Sequence, residues 1–446
     1  MTDKPLAAVV MAAGLGTRMR SALPKHLHPL LGRRLADWVV EAVRGLGPEP
    51  LVVVVAPDAR DAFEGVTVAV QDPPRGTGDA AAAARPSLEG FDGDVLVVTG
   101  DAAAITSDLL GALLETHREA GAAATVLSFE PTEPGAYGRI VRGADGSLQA
   151  IVEARDADED QLAIREVNSS IYVFEAAKLW PALERLEPKN AQSELYLTDT
   201  VRDLVADGET VAVHLAADPS EAEGVNTRAE LAATAAVLRD RINHAHMLAG
   251  ATIVDPATTW IDPTVELEPD STIQPFTVLR GSTTVARGAE VGPHVVAVDS
   301  QIGPDALVGP FCYLRPGTVL ETGAKAGAFV EIKNSRIGER TKVPHQSYIG
   351  DAEIGPDTNI AAGNITVNFP HQPGKPKGRT TIGRNVRTGV DNVFNAPVDV
   401  GDDAWIAPGS VITDDVPPGS FAGFAPRQET KKGWVYEKHG KPDRDS

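Results

Sequence analysis

A six-residue beat runs through the second half of this chain, from about Ala251 to Val416. Ile302-Gly303, Val308-Gly309 and Leu314 stand at six-residue steps, as do Ile337-Gly338, Val343 and Ile349-Gly350. Ile354-Gly355 with Ile360, and Val400-Gly401 with Ile406 and Ile412, keep the same step. No helix has that period, and an amphipathic strand alternates every second residue. An aliphatic followed by Gly or another small residue, with Pro, Asp and Asn at constant phase, describes a short flat strand and a tight corner, repeated. Stacked units of this kind put their aliphatics into ladders and form a parallel β-helix, a solenoid whose coils contact only their neighbours. A disordered Gly/Pro-rich segment would not hold Ile and Val in phase. The period alone leaves the hand of the winding open.

The 446 residues are 42% hydrophobic, enough for two or three domains with sizeable cores. A net charge of −21 argues against nonspecific binding to nucleic acid or to a membrane surface. An anionic substrate therefore needs local Lys and Arg or a metal ion. The single cysteine, Cys312, allows no intrachain disulfide and suits a reducing compartment, with the thiol as a small buried group in a coil. Residues 1–5 do not read as a signal peptide, and no apolar stretch is long enough to cross a bilayer, so a cytoplasmic location is expected.

Residues 6–226 alternate strand and helix patterns. LAAVVMAA, LVVVVA and VLVVTG are continuous apolar runs, the mark of a parallel sheet covered on both faces, and helical spacing lies between them. A doubly wound α/β fold binds ligands at the carboxyl ends of its strands. The motifs follow strands. The first runs into AAGLGTRM (12–19) and then SALPKHLHPL (21–30), a glycine-rich turn whose backbone N–H groups can approach phosphate oxygens. It lacks the Gly-Lys-Ser/Thr of a P-loop, and Met19 stands where a dinucleotide fingerprint has its third glycine. Arg18 and Lys25 add positive charge suited to a triphosphate. His26 and His28 read as packing residues more readily than as a metal pair. Gln71 and RGTGDA (75–80) form a second glycine turn, fitting contacts to a base or ribose. Asp101 ends a strand and is a candidate Mg²⁺ ligand, with Asn226 of GVNTRAEL as a second, neutral oxygen ligand. YGRI (137–140), VEARD (152–156), EVNSSIYVF (166–174) and NAQSELYLTD (190–199) carry polar groups suited to a hydroxyl-rich ligand.

Residues 227–250 place Leu231, Ala235, Leu238 and Ile242 on one face of a helical connector. Within the repeats, LRPGTVL (314–320), GAFVEIKNS (327–335), VPHQSYIGDAEIG (343–355) and NITVNF (364–369) put Arg315, Lys333, His345, Tyr348, Asn359 and Asn368 on neighbouring coils. Arg with Lys suits a sugar phosphate, and a nearby His can take a proton from an amine attacking a thioester. GKPKGR (374–379) breaks the period as a basic loop leaving the solenoid, residues 421–434 are read as leaving the coil, and residues 438–446 as a tail.

These motifs, in this order, resemble the family of bifunctional N-acetylglucosamine-1-phosphate uridyltransferase/glucosamine-1-phosphate acetyltransferases, the GlmU family. AAGLGTRM, Pro24-Lys25, Gln71 with GTG, Asp101, YGRI, EVN, NAQ-ELYLTD and GVN carry the resemblance in the first half. The repeats and the PH-x-SY string around His345 carry it in the second. The resemblance implies a uridyltransferase domain at 1–226, a helical linker at 227–250 and a left-handed β-helix acetyltransferase domain at 251–446, assembled as a trimer. In the first domain UTP and N-acetylglucosamine 1-phosphate are the implied substrates. Met11, Ala12, Ala13, Gly14, Lys25, Gln71, Gly76 and Thr77 then hold the nucleotide, with Arg18 and Lys25 acting in catalysis. Gly138, Glu153, Asn168 and Asn226 hold the sugar, and Asp101 and Asn226 hold Mg²⁺. In the second domain acetyl-CoA acetylates glucosamine 1-phosphate. His345 is the implied base, Arg315, Lys333, Tyr348 and Asn359 the sugar-phosphate contacts, and Asn368 and Phe369 the acetyl-CoA contacts. The partners implied are these small molecules, with no nucleic acid and no membrane.

The chain departs from the family locally. Ala102-Ala103 replaces Val-Pro after Asp101, and Arg155 and Ser170 replace Lys and Gly. Phe369 stands for Tyr and Val390 for Ser, removing two hydroxyls near the acetyl donor, and the loop from Asn368 to Lys377 is about three residues longer than the family's. An alternative therefore stays open: a nucleotidyltransferase whose β-helix is only a trimerisation scaffold.

Overall fold

The computed structural model describes residues 4–14, 16–190, 192–370, 374, 376–424, 428–439 and 441. Leu15 of the first glycine turn, Ala191 of the NAQ string, Lys375 of the basic loop and most of the expected tail lie outside the described residues. The chain divides into two compact units, Met1–Arg241 and Ile242–Ser446, and the division falls inside one helix, Arg228–Leu248.

The first unit is built on a nine-stranded sheet. Its strands are β1 (Leu6–Ala12), β2 (Leu51–Val55), β3 (Thr67–Val70), β4 (Asp94–Thr99), β5 (Ala124–Phe129), β6 (Arg139–Arg142), β7 (Leu148–Val152), β8 (Val167–Glu175) and β9 (Val211–Leu215). The main order is β9-β5-β8-β4-β1-β2-β3, with the β6/β7 hairpin attached to β8. The apolar runs of β1, β2 and β4 pair in parallel and are buried on both faces, as their composition requires. Helices Leu35–Arg44 and Ser107–Ala120 supply Val39, Val40, Leu110 and Leu113 to the core on one face. Helices Thr77–Ala83, Ala176–Glu184 and Thr198–Ala206 supply Ala81, Leu179 and Val201 on the other. Three strands depart from the expected parallel sheet: the β6/β7 hairpin is antiparallel, and within the main order β8 runs antiparallel to both β4 and β5, with a register shift between Asn168 and Tyr172. Its amino end therefore reaches the edge where its neighbour β4 ends.

The second unit carries the repeat. Short parallel strands form three ladders, so that each coil has three sides. Ile261, Leu279, Ala297, Leu314, Ile332 and Ile349 stack in one ladder at steps of 17 or 18 residues, three six-residue units per coil. Leu267, Val285, Ile302, Leu320, Ile337 and Ile354 stack in another. Nearly all are fully buried. The step from Ile354 to Ile382 spans 28 residues instead, and this is where the basic loop departs. Cys312 is buried in a coil and its thiol donates to the carbonyl of Gly327 at 2.7 Å; burial pushes the thiol pKa up to about 11.

Two boundaries differ from the sequence reading. Phe421–Ala422 still pairs with Trp405–Ile406, so the solenoid continues to that point. Lys438 and His439, expected in the tail, close a short exposed helix, Trp434–His439. One feature carried no sequence signal: Phe276, His294, Phe311 and Phe329 stack at one corner with ring centroids 4.7, 4.8 and 5.1 Å apart. They recur with the coil, but an aromatic at a turn position reads as loop until the register is known. Among the described residues no helix is long and apolar enough to cross a membrane.

The ladder makes a direct prediction. Ile332→Ala leaves a methyl-lined void between Leu314 and Ile349 and costs about 3 kcal/mol, read as a lower urea midpoint.

Candidate functional site

In the first unit, parallel pairing brings the carboxyl ends of β1, β2, β3 and β4 to one edge. There the chain turns through Ala13, Gly14 and Gly16 after β1, through Gln71 after β3 and through Asp101 after β4. Gly16 has φ +59°, and a Cβ on it would sit 2.5 Å from the Lys25 Cβ, so glycine is required both by conformation and by contact. Gly76, at φ +115°, lies against the backbone of Leu195, whose N–H donates to the Arg75 carbonyl at 2.7 Å. The amide nitrogen of Gln71 donates to the Gly76 carbonyl at 3.0 Å and to Asp79 at 2.8 Å, which leaves Oε1 as the atom it presents to a ligand.

A cavity of about 410 Å³ lies over this edge, lined by Met11, Ala13, Gly14, Lys25, Gln71, Gly76, Thr77 and Asp101 among others. Ala12 is not among its lining residues; it is buried, with its side chain against Gly100. A second cavity of about 410 Å³ shares Thr77, Thr99 and Asp101 with the first and adds Arg18, Gly138, Glu153, Asn168 and Asn226. The two form one crevice.

The antiparallel β8 and the β6/β7 hairpin build the second cavity's far wall. Arg139 pairs with Val152, which sets Gly138 beside Glu153, and the Asn168 N–H donates to the Gly138 carbonyl at 2.8 Å. The Asn168 side chain donates to the Tyr172 hydroxyl at 2.8 Å. Burial raises the pKa of Glu153, and Asp156, Asp199 and Glu194 add to the effect against the hydroxyl of Thr198. Ser170, the departure noted above, adopts φ 62° where a glycine would be at ease.

Charge converges where the two cavities meet. Lys25, nearly buried, pairs with Asp101, and its ammonium also donates to Asn226 Oδ1 at 3.1 Å. Arg18 donates to the same Oδ1 at 2.8 Å, and the Thr99 hydroxyl donates to Asp101 at 2.7 Å. Burial works to raise the Asp101 pKa, but Lys25, His26 and Thr99 hold it below the usual carboxylate range. One carboxylate oxygen and one amide oxygen already face the same positive charge. That hard, all-oxygen donor pair fits a divalent ion completed by water and phosphate oxygens. No group of three or more His, Cys, Asp or Glu gathers here or elsewhere among the described residues, so Asp101 would be the one charged protein ligand. Thr99 and Tyr137 line the crevice and Thr198 donates to Glu153; the sequence marks Tyr137 and Thr198 only as members of the YGRI and NAQSELYLTD strings, and Thr99 only by its place in Thr-Gly-Asp. His26 and His28 are both buried, with His26 packed against Gly14 and Gly100.

In the second unit, one ladder holds Lys333 beside Gly350, with Tyr348 at the start of the same strand. Arg315 follows Leu314 in register with Lys333 and donates to Glu331 at 2.8 Å. Asn368 follows Ile365–Val367 in this ladder, and its amide lies 3.5 Å from the Tyr348 hydroxyl. His345 ends the strand on the preceding side, Lys342–His345, and is exposed just before the corner that leads to Tyr348. Asn359 lies on that preceding side too, bridged to Lys342 and Arg387, away from the Arg315–Lys333–Asn368 group. Phe369 and Val390 are exposed, 70% and 46%. Lys377 is brought within hydrogen-bonding reach of Lys333, and that contact, together with the Lys333 charge, lowers the Lys377 pKa.

Residues 8–196 match the model of the MobA-like NTP transferase domain. The chain is 46% identical to the bifunctional protein GlmU of Corynebacterium efficiens, covering 98% of this chain and 95% of that one. It is 46% identical to the protein of the same name from Streptomyces coelicolor at the same coverage. To that from Mycolicibacterium gilvum it is 47% identical, over 97% and 92%.

Two outcomes follow from the electrostatics. Asp101→Ala strands the Lys25 ammonium with only a neutral partner and lowers stability by about 3 kcal/mol in a urea titration. Burial, and then Lys25, push the His26 pKa down to about 4, against Asp101, from 6.5 in the unfolded chain. The unfolded chain therefore binds the proton first as pH falls. The stability of neutral His26 is complete above pH 6.5 and is lost toward pH 4. The metal-free protein loses about 2 kcal/mol between pH 6.5 and 5 from this group, and His26→Leu flattens that stretch of the profile.

Proposed function

The chain belongs to the GlmU family of bifunctional enzymes, with uridyltransferase and acetyltransferase activities on one chain, and we propose which residues perform each. The first unit transfers a uridylyl group from UTP to N-acetylglucosamine 1-phosphate. The observation that carries the assignment is the convergence of Arg18, Lys25, Asp101 and Asn226 where the two cavities join.

The nucleotide takes the cavity of the glycine turns. Backbone N–H groups of Ala13 and Gly14 approach the phosphates, Oε1 of Gln71 accepts from the base, and Gly76 and Thr77 close the ribose side. The sugar takes the cavity of Gly138, Glu153 and Asn168. A phosphate oxygen of the sugar phosphate attacks the α-phosphorus in line; its bond forms as the bond to the β-phosphate oxygen breaks, and pyrophosphate leaves with the electron pair. Asp101 and Asn226 would hold Mg²⁺, which supplies charge neutralisation on the phosphates. Arg18 and Lys25 supply the remaining positive charge, and catalysis is positioning plus electrostatics.

The second unit N-acetylates glucosamine 1-phosphate. Arg315, Lys333 and Tyr348 receive the sugar phosphate, Asn368 and Phe369 the acetyl donor. The amine attacks the thioester carbonyl carbon, His345 takes the proton, the C–S bond breaks with its electron pair on sulfur, and the His345 imidazolium returns the proton to give the coenzyme A thiol. The placement of Asn359 and the exposure of His345 and Phe369 in a single chain support a site completed by neighbouring copies, and we infer a homotrimer. Exposed Leu307, Tyr313, Ile365, Trp405, Val411 and Phe421 on the sides of the coils supply apolar surface for it. A cytoplasmic location fits both substrate sets.

Pyrophosphate release across a panel of sugar 1-phosphates and nucleoside triphosphates tests the first half. UTP with N-acetylglucosamine 1-phosphate is expected to lead, to require Mg²⁺, and to fall about a hundredfold or more with Lys25→Ala. Thiol release from acetyl-CoA tests the second. If wild type and His345→Ala release thiol equally, the β-helix is a scaffold and the acetyltransferase assignment fails.

A further inference from the structure

Asn334, Asp351 and Asn368 occupy the same corner of three successive coils. Asn334 Nδ2 donates to Asp351 Oδ1 at 2.6 Å from the coil before, and Asn368 Nδ2 donates to Asp351 Oδ2 from the coil after. Lys333 Nζ lies 3.7 Å from Asp351 Oδ2, and Lys377 is near enough for its charge to act on the same carboxylate. Asp351 is itself 8% exposed. Its backbone is left-handed at φ 51°, a conformation that Asn and Asp both tolerate.

Corner geometry alone would accept an asparagine at position 351, as it does at 334. A carboxylate differs in two ways. It accepts only, so the Asn368 amide can face it in one orientation: nitrogen inward, to Asp351 and the Tyr348 hydroxyl, leaving Oδ1 as the only amide atom for a ligand. It also carries a negative charge that acts on both Lys333 and Lys377. We infer that Asp351 is a positioning residue of the acetyl-transfer site, turning the Asn368 amide so that it accepts a hydrogen bond from the acetyl donor and steadying Lys333 for the sugar phosphate. This rests on the acetyltransferase reading above. It further requires that the donor group meeting Asn368 be an N–H or O–H, as the amides of a pantetheine arm provide.

Steady-state kinetics of both half-reactions test it. Asp351→Asn keeps the shape and the corner but frees the Asn368 amide to flip and removes the charge beside Lys333. Its KM values for acetyl-CoA and for glucosamine 1-phosphate are each expected to rise about tenfold, the effect of one charge-assisted hydrogen bond. Uridyl transfer stays at the wild-type rate. Asn334→Ala disturbs the corner from its other side and is expected to keep both KM values within about twofold, which a purely structural role would not allow. The exchange variant Asp351→Asn with Asn368→Asp restores the donor–acceptor pair and again presents an acceptor oxygen at 368. It is expected to recover the acetyl-CoA KM while that for glucosamine 1-phosphate stays raised. Wild-type KM values in Asp351→Asn overturn the inference. If that variant melts early, a folded exchange variant with a raised acetyl-CoA KM overturns it instead. Absence of acetyl transfer in the wild type overturns the parent reading, a separate outcome.

Discussion

Parallel pairing in fixed register is the constraint on which both units depend. Parallel strands end at a common edge, so residues that follow them become neighbours however far apart they lie in the chain. In the first unit this brings the turn after Ala12, Gln71 and Asp101 to one edge. In the second, a step of 17 or 18 residues turns distance along the chain into height along the solenoid: Arg315 and Lys333 share one column, and Asn334, Asp351 and Asn368 form the next. A slip of one residue in either register would turn the buried Val and Ile outward and scatter the polar groups. The hydrophobic ladders thus hold the chemistry in place without touching it.

Most of that framework was legible because it is encoded by composition at fixed spacing. The six-residue phase of Ile and Val has one geometric solution, and continuous apolar runs such as LVVVV have few. The glycines at 16 and 76 were legible as turns. Only the structure adds the reason that Lys25 Cβ and the Leu195 backbone leave no room for a side chain there. What the pattern could not supply was direction and partner. Val167–Glu175 is buried like its neighbours yet runs the other way, because strand direction is fixed by the connections on either side and not by the strand's own residues. Asn359 shares the repeat phase with its neighbours but lies on the preceding side of the coil. Asp351 sits inside GDAEIG as one corner acid among many, and its three partners come from residues 333, 334 and 368.

The two sites solve the problem of an acidic chain handling anions in different ways. In the first unit the cation is stored: Lys25 is nearly buried, and desolvation strengthens its attraction to Asp101 while that pair keeps the ammonium from being an isolated buried charge. A net charge of −21 then matters little locally, since a crevice with low-dielectric walls responds to its own lining.

In the second unit the cations stand at the surface of a solenoid that has no interior to bury them in. Each side of a coil is a single strand, and Leu, Ile and Val fill the space that the three ladders enclose. Order among Arg315, Lys333 and Lys377 must come from fixed partners, and the carboxylates of Glu331 and Asp351 are those partners. Exclusion of water must come from whatever covers the exposed sides of the coils. A thioester aminolysis needs both, because a base in open solvent would share the acyl group with water. That requirement, and not coil stability, gives an enzyme built on a solenoid a reason to assemble.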